Sequence, residues 1–253
     1  MKLEEARVLL TGATGGIGSA LAARLKAEGC QLLAQGRSTR IEATAFVQAD
    51  LSREEDLERL ATAACEFNAN VLINNCGINQ FSEFERADIA RLVDVNVKAP
   101  MLLTQRLLPH LKSQPEAVIL NVGSTFGQIG FPGYVAYCAT KHAIKGFSEA
   151  LRRELIDSPV HVQYVSPRAT RTGMNSEVVN ELNAALGTAS DDPDYLAARI
   201  VEMLKNGRSR LQMGRAENLQ VKINSIFPTI VDSALTGQLP MIRDHFLREE
   251  TIS

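Results

Sequence analysis

Tyr137 and Lys141 stand four residues apart in a segment of helical periodicity, so their side chains leave one face of the helix together. A phenol with its ordinary pKa near 10 is a poor acid–base group at neutral pH. A neighbouring ammonium favours the phenolate, and a tenfold gain in ionisation corresponds to about 1.4 kcal/mol. Ser124 ends an apolar run and places a hydroxyl at the tip of a predicted strand, in position to bond a carbonyl oxygen. Asn96 precedes the set. Far upstream, residues 11–18 read Thr-Gly-Ala-Thr-Gly-Gly-Ile-Gly, between the run Ala6–Leu10 and a helical stretch beginning near Ala20. Gly12, Gly16 and Gly18 let backbone approach a ligand closely. The helix that follows aims unpaired N–H groups and the positive end of its dipole at an anion. A Tyr-x-x-x-Lys pair alone is an ordinary helix-surface pattern. A phosphate cradle combined with the ordered set Asn96, Ser124, Tyr137 and Lys141 points to hydride transfer on a dinucleotide.

These residues need a scaffold, and the chain supplies a regular one. Short apolar runs predict strands over 6–11, 30–35, 45–49, 70–75, 117–122, 160–166 and 209–213. Amphipathic segments between them predict helices over 17–28, 53–67, 86–112, 137–157 and 192–206. Such alternation implies βαβ units: an α/β fold with a doubly wound parallel sheet of Rossmann type and the ligand at the carboxyl ends of its strands. The second and third strands are too close for a crossover helix, so a loop or single turn joins them. The predicted catalytic and dinucleotide-binding domain covers residues 1–215. Residues 216–253 form a helical carboxy-terminal extension of the same domain, with apolar positions Leu219, Ile223, Ile226, Phe227, Ile230 and Ala234 at helical spacing. Pro228 bends or restarts this helix, and a second short helix is predicted from Leu239 to Arg248. The expectation is a hairpin packed on the main domain; dimerisation, substrate covering and membrane-surface contact are the other uses of such a face.

Composition narrows the class. The 253 residues suffice for one large, well-buried α/β domain. A net charge of −2 and the lack of any basic run argue against a general nucleic-acid binder. The four cysteines, Cys30, Cys65, Cys76 and Cys138, lie far apart without a CxxC pair. They read as reduced thiols of a cytoplasmic protein, not as disulfides or a metal site. The first strand begins too early for a signal peptide, and no 18-residue apolar stretch predicts a transmembrane helix.

The motifs in sum resemble those of the short-chain dehydrogenase/reductase family, in its compact single-domain branch, over residues 6 to 214. The turn Thr11–Gly18 matches the family's dinucleotide turn, with Gly12, Thr14, Gly15, Gly16, Ile17 and Gly18 as cofactor contacts. Asp50 and Leu51 match the site that holds adenine, and Asn74-Asn75-Cys76-Gly77 the turn after the fourth strand, with Cys76 where alanine is usual. The thirteen-residue interval from Ser124 to Tyr137 also fits. The resemblance implies that Tyr137 is the general acid in reduction and the base in oxidation. Lys141 would lower its pKa and bond the nicotinamide ribose, Ser124 would polarise the carbonyl, and Asn96 would hold a water of the proton relay. Pro167, Thr170 and Thr172 are assigned to the nicotinamide end. Arg168 and Ala169 depart from the family pattern, which has glycine after the proline.

Cofactor choice follows from the end of the second strand. NAD-binding members carry a carboxylate there for the ribose 2′-hydroxyl; this chain has Gly36-Arg37-Ser38. A guanidinium suits a 2′-phosphate, so NADP(H) is expected, with Arg37 and Ser38 at the phosphate and help from Arg40. Arg168 and Arg171 beside the nicotinamide end raise the expectation of a polar or anionic substrate. Wall residues of a substrate lid over 171–193 are expected at Met174, Val178, Val179 and Leu182. The family resemblance also implies a homodimer through helices 86–112 and 137–157. The reading is an NADP(H)-dependent enzyme acting on a small carbonyl or alcohol. The alternative is a dinucleotide-binding regulator or scaffold that has lost catalysis.

Overall fold

The computed structural model describes residues 1–38 and 41–252, with side chains through Glu249. Seven strands form one parallel sheet: β1 (Arg7–Leu10), β2 (Gln31–Gly36), β3 (Ala45–Gln48), β4 (Val71–Asn74), β5 (Ala117–Val122), β6 (Val160–Ser166) and β7 (Arg210–Gln212). Their order is β3-β2-β1-β4-β5-β6-β7. Each coincides with a predicted strand. The central strands are covered on both faces, and for this reason they read as continuous apolar runs; all six residues of β5 are buried.

The helices along the chain are α1 (Gly16–Ala27), α2 (Glu54–Glu66), α3 (Ile89–Val93), α4 (Ala99–Lys112), α5 (Val135–Glu154), α6 (Glu177–Ala185), α7 (Pro193–Asn206), α8 (Arg215–Ile226) and α9 (Pro228–Ile252). One sheet face packs on α1 and α7 through Leu21, Leu25, Leu196 and Ile200. The opposite face packs on α2, α4 and α5 through Leu57, Leu60, Leu103, Leu107 and Leu151. Local signals set the helix ends. Asp192 caps α7 by accepting from the Asp194 amide, Pro193 begins it, and Gly207 ends it at φ 69°. Glu54, Glu55 and Asp56 place negative charge against the positive end of α2.

Three expectations are corrected. The single helix over 86–112 is broken: Asp88 caps α3, and Asp94–Lys98 form a wider π-turn before α4. The lid segment contains a helix of its own, α6, which buries Val178, Val179 and Leu182 but leaves Met174 48% exposed. At the carboxy terminus Pro228 restarts the helix, and α9 then runs on through Pro240 with no separate helix at Leu239. The hairpin is packed at one end only. No residue of α8 is buried, and α9 buries Ile242, His245 and Phe246 among its described residues.

Candidate active site

Strand order reverses between β1 and β4, and in an open parallel sheet the ligand crevice opens at that reversal. A cleft of about 870 Å³ lies there. Its wall takes Gly12 and Thr14 to Gly18 from the turn after β1, Arg37 after β2, Asp50 and Leu51 after β3, Asn75 and Gly77 after β4, and Thr172. Ser38 is exposed beside Arg37 and lies off this wall, as do the buried Pro167 and Thr170. The Pro167 carbonyl accepts from the Thr125 amide at 2.8 Å, and the Thr170 hydroxyl donates to the Arg168 carbonyl at 3.0 Å. Arg40 lies outside the described residues.

The turn fits a pyrophosphate. Gly12 has φ +64°, and a Cβ on it would stand 2.8 Å from Cys76 Cα. A Cβ on Gly18 would overlap the Gly12 carbonyl. Gly15 caps α1 without a side-chain bond, so the first-turn amides are open to an anion. Polar residues hold this turn in shape, and one of them, Gln35, was missed by sequence reasoning. Gln35 Oε1 accepts from the Gly12 amide at 2.8 Å, and its Nε2 donates to the Ala49 carbonyl at 2.7 Å. Asn75 Nδ2 donates to the Thr11 carbonyl at 3.0 Å, while Thr11 Oγ1 accepts from the Asn75 and Cys76 amides. A glutamine inside the apolar run Leu32-Leu33-Ala34 was the available signal. The Asp50 carboxylate accepts from the Ser52 amide at 3.0 Å and hydroxyl at 2.8 Å, bonds that hold it below the usual carboxylate range.

Behind Gly77 of the cleft wall the four chemistry-bearing residues come together. Ser124 follows β5 and accepts from the Phe126 amide at 3.1 Å. Tyr137, half-buried in the first turn of α5, has its phenol on the Ser124 side. Lys141, one turn on and buried, has Nζ 5.6 Å from the Tyr137 ring centroid and donates to the Val122 carbonyl at 3.3 Å. Asn96 sits in the π-turn, exchanging 2.8 Å bonds with the Ile78 amide and carbonyl and donating to Thr140 Oγ1 at 3.1 Å. Gly77 makes this convergence possible, since a Cβ there would press within 3.3 Å of both Asn96 Oδ1 and Lys141 Nζ.

Burial governs the electrostatics. Tyr137 is pushed above the ordinary phenol value by desolvation, with Ser124 the main opposing pull. Lys141 is itself pushed down to about 8 by the same desolvation.

The arginines after Pro167 do not reach the cleft. Arg168 Nη2 pairs with Asp191 at 2.6 Å and Nη1 with Glu217 at 3.4 Å. Arg171 donates to the Ser190 carbonyl and pairs with Asp192. The departure from glycine at position 168 thus fastens the post-β6 segment to the start of α7 and to α8. Beneath the site runs a buried amide chain: Asn74 Nδ2 donates to Asn121 Oδ1 at 2.8 Å, and Asn121 Nδ2 donates to Ser148 Oγ at 2.9 Å. It ties β4 and β5 to α5, and polar residues within apolar strands were again its signal.

A family model described as short chain dehydrogenase matches residues 6–183. The chain belongs to the short-chain dehydrogenase family. An uncharacterized oxidoreductase, DltE, of Bacillus subtilis (strain 168) is 33% identical to this short-chain dehydrogenase over 236 residues, 87% of this chain and 92% of the relative. A 3-ketoacyl-(acyl-carrier-protein) reductase from Brucella melitensis, solved with NADH, superposes with a TM-score of 0.76 at 27% identity, over 83% of this chain and 97% of the other. A short chain dehydrogenase from Burkholderia cenocepacia J2315, solved with NADP, gives a TM-score of 0.77 at 25% identity, over 86% and 100%.

Proposed function

We propose that the protein is an NADP(H)-dependent carbonyl reductase or alcohol dehydrogenase. The observation that carries this reading is the convergence of Tyr137, Lys141 and Asn96 around Gly77, with Ser124 at the end of β5, beside a glycine-lined dinucleotide cleft. Relatives solved with NADH and with NADP support a nicotinamide dinucleotide. The choice of NADP(H) rests on Arg37, which stands on the cleft wall where a 2′-phosphate is to be met.

When bound, NADPH supplies the hydride. Ser124 donates a hydrogen bond to the substrate carbonyl and polarises it. Tyr137 gives its phenolic proton to the carbonyl oxygen, so that hydride and proton together make the alcohol. The Lys141 ammonium steadies the phenolate left behind, and Asn96 holds the backbone of Ile78 in place beside it. Oxidation runs the same steps backwards with Tyr137 as base. Asn96, Ser124, Tyr137 and Lys141 are the catalytic residues of this reading.

The same reading includes a homodimer and a cytoplasmic location. Ala143, Gly146 and Ala150 form an exposed row of small residues on α5, and Val93 and Met101 are exposed near the start of α4. The four cysteines are free thiols, as a reducing compartment keeps them, and no helix among the described residues is long and apolar enough to cross a membrane. Oxidation of NADPH with a broad panel of ketones and aldehydes tests the activity. Binding of the dinucleotide without turnover of any panel member would instead favour a silent binding protein.

A further inference from the structure

Beside the dinucleotide cleft lies a second cavity of about 520 Å³. The two share Asn79, Gly173 and Met174, so a molecule in one meets the end of the other. Three separated stretches enclose it: the loop from Asn79 to Arg86, the lid with Asn175 and Ser176, and the last turns of α9 with Glu249. The end of α9 is fastened in place. Ser176 Oγ donates to Glu249 at 2.6 Å, and Arg248 pairs with Glu181 of α6 at 2.5 Å. Phe246 of α9 packs on Phe81 at 5.0 Å between ring centroids, Phe81 on Tyr134 at 5.2 Å, and Tyr134 on Tyr137 at 5.9 Å. A series of packed rings, of which Phe81 lines the cavity, thus joins the carboxy-terminal helix to the proposed proton donor.

We propose that this cavity is the substrate chamber, that it takes a neutral carbonyl compound bearing hydroxyl or carboxamide groups away from the carbonyl, and that Asn79 and Asn175 select it. This deepens the carbonyl-reductase reading and rests on it. Arg86 and Glu249 put one charge of each sign on the wall, so an ionic substrate gains from one and loses to the other. The remaining polar side chains are unequal, and the Ser82 hydroxyl adds one small polar group. Gln80 is engaged with the Arg86 carbonyl and the Asp88 amide, and the Ser176 hydroxyl with Glu249 and the Val179 amide. Asn79 and Asn175 meet each other through a single contact of 3.4 Å, Nδ2 to Oδ1. That contact leaves an amide oxygen on one and an amide nitrogen on the other, and turning both amides over leaves the same two functions. A substrate that donates and accepts hydrogen bonds satisfies both, whereas a hydrocarbon ketone leaves both unpaired and is rejected by about tenfold to a hundredfold. Phe81 and Val179 cover its apolar parts.

The test is calorimetric titration of the protein with ketones of equal chain length that are unsubstituted, hydroxylated, carboxamide-bearing or carboxylate-bearing. Hydroxylated and carboxamide ketones are expected to bind at least about tenfold more tightly than the other two. Asn175→Leu, a residue outside the dinucleotide cleft, should abolish that preference while leaving the affinities for dinucleotide and for the unsubstituted ketone in place. Tighter binding of unsubstituted ketones, or a preference that survives Asn175→Leu, overturns the proposal. The titration needs no turnover: a polar preference without dinucleotide binding supports the chamber and defeats the oxidoreductase reading, and turnover confined to unsubstituted ketones does the reverse.

Discussion

Gly123 and Tyr164 share one space: a Cβ added to Gly123 would overlap the Tyr164 phenol. Tyr164 lies in β6, and burial pushes its hydroxyl up to about 12. Gly123 immediately precedes Ser124, so whatever moves one moves the other. Gly123→Ala is expected to destabilise the protein by about 1–3 kcal/mol, the usual cost of overpacking a core, and to lower turnover by displacing Ser124. Adding Tyr164→Ala should recover part of the turnover. Urea unfolding and steady-state rates of the two singles and the double measure the coupling, and strict additivity of the two changes would refute it.

Tyr137→Phe removes the phenolic proton and little volume. Turnover is expected to fall by at least about a hundredfold, the scale of general acid–base help, with dinucleotide affinity kept. Stopped-flow rates and a fluorescence titration of NADPH check the two halves, and a wild-type rate in the variant would remove Tyr137 from its role.

In the proposed reading Arg37 governs the choice between cofactors. The wild type should bind NADPH more tightly than NADH, and Arg37→Ala should narrow that gap by about tenfold, the value of one charge-assisted contact to phosphate. Equal affinities for the two in the wild type would sink the assignment.

Lys141 gives a pH signature. Its folded-state pKa is about 8 against 10.5 for the ordinary group. Between those values the unfolded chain holds more protons, so the residue makes stability rise with pH there and lowers it at pH values below about 8. Lys141→Met is therefore expected to unfold at higher urea than wild type near neutrality, with a lead that shrinks as pH climbs toward 10.5. Turnover of the variant should be depressed throughout. A stability difference that does not vary with pH would show an ordinary lysine.

Assembly is the remaining expectation. Light scattering should give the mass of a dimer, and Gly146→Glu, placed where a Cβ meets nothing within the chain, should yield monomer without loss of secondary structure. A monomeric wild type would remove α5 as the interface.

How much was legible varies with the physics. Strands buried on both faces announce themselves as apolar runs, so all seven could be read. Tyr137 and Lys141 were legible because helical spacing places them on one face. The π-turn around Asn96 was not, since one wider turn leaves the composition of a helix unchanged while shifting its register. The partners of Arg168, Asp191 and Glu217, lie 23 and 49 residues downstream, and local pattern carries no record of such pairing. A longer separation still hid the seat of Phe246 on Phe81.

The clamp on the glycine turn changes where an entropic cost falls. Gln35 engages the Gly12 amide and Asn75 engages the Thr11 and Gly12 carbonyls before any anion arrives. Ordering backbone costs roughly 1–2 kcal/mol per residue, and here that cost is met during folding. A dinucleotide then encounters a rigid receptor and loses little affinity to loop ordering. The corollary is a cradle that does not depend on the ligand for its shape, so the selectivity proposed for Arg37 falls at the more exposed rim, away from the clamp.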